Sequence, residues 1–491
     1  MAVTGTRGIQ VEEAKSFKAG GKKPPLYAAR KQVYPKRVQG TFRRIKWLVL
    51  MATLFVYYTV PWLRWDRGPG LPDQAVLIDL PARRAYFFFM EFWPQEVYYV
   101  TGLLILGAVG LFLVTSVGGR VWCGYACPQT VWTDLFMAVE RFIEGDRNAR
   151  IKLDRQPFSL AKAARKIAKH GIWLLIALAT GGAWILYFID APTAIREIFT
   201  GQAPMPVYFF IGLFASTTYL LAGWAREQVC TYMCPWPRFQ AAMFDEDTLI
   251  VTYEDWRGEP RGPYRKGQSR DQRGDCVACN QCVAVCPTGI DIRDGQQLEC
   301  IGCGLCIDAC NAVMDHFGWP RGLIALDTTA NRVRRTENKP ARFRFLRPRT
   351  LTYAVVLAIV GAVMVATLAT RATMHVNVLR DRTPLFVMLS NGSVRNGYTL
   401  KLSNMRRGAR TFGITLDGIR GATMTIVGHE PKNVMGGSLD VGQDEVASYR
   451  IFVTAPRDQI QPGSTPLIFV LTDTASGETK RYKTVFRGPE K

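Results

Sequence analysis

Five stretches of this chain run apolar, without interior charge, for nearly the length of a membrane-crossing helix: about 47–63, 97–117, 172–189, 207–225 and 351–369. Roughly 20 such residues cross a hydrocarbon core as a helix. A buried helix of a soluble protein imitates one such run, but not five in 491 residues. The pattern predicts a polytopic α-helical membrane protein with about five transmembrane helices. The first 44 residues are basic and mostly polar and lack an apolar core, so they read as a cytoplasmic surface tail rather than a signal peptide.

The formal net charge is +22, and its placement gives an orientation. Eleven Lys and Arg lie between Arg7 and Arg44, ten in 118–171 and eighteen in 226–350. The loop 64–96 has only Arg64, Arg67, Arg83 and Arg84, and 190–206 only Arg196. Positive loops stay in the cytoplasm. The N-terminus, 118–171 and 226–350 are therefore expected inside a bacterial inner membrane, and five spans put 371–491 in the periplasm. A nucleic-acid partner is not expected. The basic stretch 332–349 adjoins a span and suits an anchor on anionic lipid.

All twelve cysteines fall between 123 and 310, on or beside the expected cytoplasmic segments. Grouped thiols in a reducing compartment point to metal ligation or redox chemistry, not to disulfides. From Asp275 to Gly289 the chain reads C-x2-C-x2-C-x3-C-P, and from Glu299 to Asn311 C-x2-C-x2-C-x3-C. This is the two-cluster bacterial ferredoxin pattern. Three thiolates on one short loop reach three irons of a cubane, and the fourth comes from the other run. Cys276, Cys279, Cys282 and Cys310 are assigned to one [4Fe–4S] cluster, and Cys300, Cys303, Cys306 and Cys286 to the other. Paired zinc knuckles have a wider gap and fit poorly. The second run ends in Asn311 where the first has Pro287, but proline ligates nothing.

Four further cysteines form two C-x3-C-P motifs, Cys123/Cys127/Pro128 and Cys230/Cys234/Pro235, each after an apolar run, with Tyr125 and Tyr232 in matching places. They suggest an internal repeat of about one helical hairpin. A residue before proline leaves helical geometry, and proline suits a first helical turn. Each second cysteine is thus expected on a turn that opens a new helix, where the dipole favours thiolate. Together the four would make a membrane-edge site for a soft or borderline metal: iron, an iron–sulfur cluster, zinc or Cu(I). Redox-active dithiols or transient Cu(I) ligands remain open. The motifs alone indicate a membrane-anchored electron carrier facing the cytoplasm.

With WCGYACPQTVW, CTYMCPW, the eight-cysteine module and a final span before an external domain, the chain resembles the CcoG/FixG/RdxA family of cytochrome c oxidase accessory proteins from about residue 35 onward. The paired motifs are also similar to those of NapH and NosR electron-transfer proteins. The resemblance implies a cupric reductase that converts Cu(II) to Cu(I) during cbb3-type oxidase assembly. It also implies copper and oxidase subunits or assembly factors as partners, and a quinol or cytoplasmic electron donor. The alternatives are a non-enzymatic copper chaperone or scaffold, and a quinol-linked NapH-like carrier to another acceptor.

The expected layout is a tail over 1–44, a four-helix membrane domain over 45–245, an inserted α+β ferredoxin-like module over 246–350, a fifth helix over 351–370 and an all-β immunoglobulin-like sandwich over 371–491. About seven short alternating strands carry the last of these. Met374, His375, Met388 and Met405 are a further copper candidate, against the plainer reading of methionine as β-core. His170, His316 and His429 show no partner spacing. The aromatic stretch 83–93 is expected to lie at the outer membrane interface, as a belt helix or a quinol-site border.

Overall fold

The computed structural model describes residues 32–68, 70–264, 273–371, 374–405, 408–428, 436–443 and 445–490. Most of the tail and His429 lie outside the described residues. The chain divides into two compact units, Met1–Ala362 and Val363–Lys491.

In the first unit, α1 (Thr41–Thr59) begins inside the stretch expected to be tail. Its first-turn backbone N–H groups at Phe42 and Arg43 donate to the Asp308 carboxylate at 3.2 and 2.8 Å, and a carboxylate there favours the helix start. The aromatic loop is not a belt helix. It forms a three-stranded antiparallel meander of β1 (Val76–Asp79), β2 (Arg84–Phe87) and β3 (Met90–Phe92). Arg67 reaches beneath it to donate to the carbonyls of Phe88, Pro72, Gln74 and Ala75. Aromatic residues suit a half-buried sheet, and four accepting carbonyls offset the burial of one guanidinium.

There follow α2 (Tyr98–Gly118), α3 (Pro128–Glu144), α4 (Arg147–Arg155), α5 (Leu160–Ile185), α6 (Ala191–Thr200), α7 (Met205–Thr218) and α8 (Trp236–Ala242). Among the described residues four helical segments are long and apolar enough to cross a membrane: Thr41–Trp62, Pro94–Gly118, Met205–Ala225 and Pro348–Ala369. The fifth expected span, 172–189, occupies the second half of α5 and the turn after it. The first half of α5 carries Lys162, Arg165, Lys166 and Lys169, which leaves a shorter apolar length. Gly181 of α5 lies so close to α7 that a Cβ there would stand 2.7 Å from the Ile211 carbonyl oxygen.

The inserted module pairs β4 (Ile250–Tyr253) with β5 (Ile324–Asp327), Ile250 opposite Asp327. Between these strands lie the single turn α9 (Asp255–Gly258), α10 (Gln281–Val285) and α11 (Leu305–Phe317). After β5 come α12 (Thr329–Thr336) and the apolar α13 (Pro348–Ala369). The basic stretch 332–349 is partly engaged within the protein. Arg332 pairs with Asp255, Arg335 with Glu254 and Asp327, and Arg347 with Asp245.

The second unit is a two-sheet immunoglobulin-like all-β region. Its strands are β6 (Met374–Arg380), β7 (Val387–Met388), β8 (Val394–Asn404), β9 (Arg410–Asp417), β10 (Thr423–Ile426), β11 (Gly436–Val441), β12 (Val446–Ala455), β13 (Ser464–Asp473) and β14 (Thr479–Arg487). One sheet runs β10-β12-β8-β6 with β7 on β8, and the other β11-β9-β13-β14. Tyr398, Leu400, Leu402, Ile414, Leu467 and Phe469 fill the core at alternate positions. Met374 is part of that core, while its neighbour His375 points outward. Adjacent strand residues face opposite sides, so these two do not share a metal.

Candidate cysteine sites

Both ferredoxin-type loops wind the same way. Left-handed backbone occurs at Ala278 (φ 52°) and Asn280 (φ 55°), and at the matching places of the second run, Gly302 (φ 70°) and Gly304 (φ 71°). Such alternation turns successive peptide N–H groups into a concavity that favours anions. Glycine takes the conformation freely, whereas Ala278 carries strain of about 1–3 kcal/mol.

Two cavities lie inside the loops. One is lined by Cys276, Cys279, Cys282 and Cys310, with Tyr253 and Arg293. The other is lined by Cys286, Cys300, Cys303 and Cys306, with Cys282 at its wall. Each takes three cysteines of one run and the last of the other. Burial pushes the Cys282 thiol up to about 11 and those of Cys300 and Cys310 up to about 12, and it raises Cys303 and Cys306 as well. Dry thiols of this kind lose their protons when a soft cation arrives. Among the described residues no Asp or Glu lines either cavity. Four sulfur donors without oxygen ligands fit an iron–sulfur group and not a hard cation.

The two C-x3-C-P motifs form π-helical turns, Trp122–Ala126 and Val229–Met233. The Cys127 N–H donates to the Trp122 carbonyl at 2.8 Å, and the Cys234 N–H to that of Val229 at 2.8 Å. Both second cysteines are extended, with ψ of 128° and 123°, as the following proline requires. Helices α3 and α8 start directly after. The turns are legible in the sequence, but the π winding, which often marks functional sites, is not.

Cys123 and Cys230 pack into one apolar cluster with Val285, Ile301, Cys303 and Leu305. The Cys123 Sγ donates to Oε1 of the buried Gln240 at 3.2 Å. Burial pushes Cys123 up to about 12 and Cys230 up to about 11, and the neighbouring thiols of Cys127 and Cys234 add to both. Among the described residues no three His, Cys, Asp or Glu side chains converge as they would around a single metal ion.

The first motif is seated on the second ferredoxin loop. The buried Tyr125 hydroxyl donates to the Cys303 carbonyl at 3.0 Å. A Cβ on Gly124 would stand 2.9 Å from the Ile301 carbonyl oxygen and 3.1 Å from the Cys303 nitrogen. Arg120 donates to the carbonyls of Leu298, Cys300 and Pro237, so it ties that loop to both motifs. The repeat is unequal here, because Tyr232 is 74% exposed and Tyr125 9%. The sequence marks Tyr125 only by repetition and gives no sign of Arg120 or Gln240.

A buried ion-pair network lies on α3 beneath these motifs. Arg43 meets Asp134 at 2.8 Å, Arg150 and Arg226 meet Glu140 at 2.6 and 3.0 Å, and Lys166 and Lys169 each meet Glu144 at 2.9 Å. It holds α1, α4, α5 and the turn after α7 to one helix.

Residues 225–329 match the 4Fe-4S dicluster domain family, 100–144 the 4Fe-4S binding domain family, and 364–489 the family described as the IG-like fold at the C-terminal of FixG. The nitrogen fixation protein FixG of Rhizobium meliloti is 50% identical over 97% of this chain and 96% of its own length. The chain belongs to the FixG family. Other relatives are protein RdxB of Cereibacter sphaeroides, 49% identical over 94% of this chain and 97% of its own, and protein RdxA of the same organism, 49% identical over 91% and 93%. As a FixG-family member the chain is a membrane-linked iron–sulfur protein of oxidoreductase type. The 4Fe-4S families cover all twelve cysteines, with Cys123 and Cys127 in one match and the other ten in the second.

Proposed function

We propose that this chain is an electron-transfer protein that reduces Cu(II) to Cu(I) at its membrane-edge cysteines during assembly of a cbb3-type oxidase. It takes electrons from a quinol or a cytoplasmic donor. Cys276, Cys279, Cys282 and Cys310 hold one [4Fe–4S] cluster, and Cys286, Cys300, Cys303 and Cys306 the other. When bound, the clusters supply one-electron transfer. The chain's own residues set the conditions. Left-handed peptides at 278, 280, 302 and 304 present N–H groups to the sulfurs, which raises potential. Val251 and Ile292 line the second cavity and keep water from it. Tyr125 and Arg120 fix that loop against the membrane motifs.

The carrying observation is the shared apolar cluster of Cys123, Cys230 and Cys303, bound by the Tyr125 hydrogen bond. Thiols beside a ferredoxin-type loop suit an acceptor that becomes softer on reduction, and sulfur prefers Cu(I) to Cu(II). The overall step is Cu(II) plus one electron giving Cu(I). With α5 taken as a fifth crossing, the Lys and Arg distribution supports a cytoplasmic N-terminus and module in a bacterial inner membrane, with 371–491 periplasmic.

The test is anaerobic. Iron-loaded protein is reduced, freed of reductant and mixed with Cu(II) and a Cu(I)-specific chelator. One Cu(I) is expected for each electron lost from the visible absorbance, and Cys230→Ser should slow the reaction at least tenfold. Copper binding without reoxidation would indicate a chaperone. Reduction by quinol without transfer to copper would indicate a carrier to another acceptor.

A further inference from the structure

A cavity of about 760 Å³ in the first unit plays no part in the chemistry above. It opens beside the N-terminal turns of α1, and Lys36, Arg37, Arg43, Arg44 and Arg141 line it against two carboxylates, Asp134 and Asp146. Arg37 and Arg44 are exposed, and among the described residues neither side chain has a carboxylate partner. Arg43 is 8% exposed. Its Nη1 binds Asp134 and its guanidinium stacks 4.5 Å from the Trp47 ring centroid, but its Nη2 is buried without a hydrogen-bond partner. A buried guanidinium N–H left unpaired costs about 1–3 kcal/mol. The guanidinium groups open to a phosphate oxygen in this cavity are those of the exposed Arg37 and Arg44.

What continues from the cavity decides the occupant. Arg44, Leu48, Met51 and Phe55 follow one another at helical spacing on one face of α1. The last three are exposed, at 71%, 63% and 68%. A cation at the helix start followed by an open apolar stripe matches a phosphate with acyl chains, not a free phosphate compound. Trp47 lies near the start of the apolar segment Thr41–Trp62, and indoles favour the headgroup layer at such ends.

We propose that this cavity is a binding site for the phosphate headgroup of an anionic phospholipid, with its acyl chains along the Leu48–Met51–Phe55 face. Pro287 and Leu305, next to Cys286 and Cys306, form its inner wall. The bound lipid therefore anchors the ferredoxin module to the bilayer.

Full-length iron-loaded protein is purified in detergent and exposed to phosphatidylglycerol or phosphatidylcholine, and lipid retention is counted by native mass spectrometry. Retention of phosphatidylglycerol is expected to exceed that of phosphatidylcholine. It should fall about fivefold for each arginine removed in Arg37→Ala and Arg44→Ala. Both residues are exposed and unpaired, so iron content and melting temperature serve as folding controls. Arg37→Lys with Arg44→Lys is the second variant, which keeps the charge and removes the planar guanidinium donors, and it should lose less retention than the alanine substitutions. Equal retention of both lipids overturns the site, as does retention unchanged in all three variants. If lipid-free protein binds inorganic pyrophosphate and phosphatidylglycerol does not compete, the ligand is soluble and the lipid assignment falls.

Discussion

At the scale of single residues, the contact between membrane motif and ferredoxin loop depends on very few atoms. Tyr125→Phe removes the hydroxyl that serves the Cys303 carbonyl, and the expected loss is about 1–2 kcal/mol. It should appear as a lower melting temperature and slower Cu(I) formation at unchanged iron content. Glu140 carries a pH prediction. Burial works to raise its carboxyl, but Arg226, then Arg150 and Lys169, outweigh it and hold the group at about 2 against an ordinary 4.5. The folded-state value is depressed, so the stabilisation is fully present above pH 4.5 and is lost as pH falls toward 2. Glu140→Gln leaves buried cations uncompensated and should cost about 3–5 kcal/mol near neutrality. Denaturant titration should show the gap between variant and parent narrowing across that window.

At the scale of elements, the close approach of α5 and α7 rests on Gly181. Gly181→Leu forces the helices apart and should destabilise by about 1–3 kcal/mol, read as a lower melting temperature in detergent. Elements differ in how far the sequence reveals them. Period-two alternation and turn residues mark strands such as β8 and β13, and the cysteine spacing shows which thiols share a cavity. Three kinds of feature stay hidden. The aromatic meander reads like an interfacial helix, because ring-rich segments suit either. The π turns need one residue more per turn, and no side-chain type announces that. The buried pairs of Asp134, Glu140 and Glu144 look like an ordinary charged helix face until their partners, up to 91 positions away, are in place. The described residues of the sandwich hold nine strands where the alternation predicts about seven, and in one of them, β11, Gly436 and Gly437 dilute the pattern.

At the scale of the whole molecule, the two units call for different behaviour on metal removal. Stripping iron should lower the melting temperature of the unit that holds the cysteines and leave the sandwich unchanged. A fragment of residues 363–491, which has its own apolar core, should unfold cooperatively with the same midpoint as in iron-free full-length protein. Far-ultraviolet circular dichroism during heating checks both. The seating of Gly124 and Tyr125 on the Ile301–Cys303 turn also governs how the chain can be cut. An expression fragment bounded at 246 and 350 would lose the cover over Ile301 and Leu305, and Asp308 would have no helix start to cap. That fragment should precipitate or shed its iron, whereas one that keeps 32–245 in detergent should not, because what looks like a self-contained insert along the chain is only half of an enclosure in space.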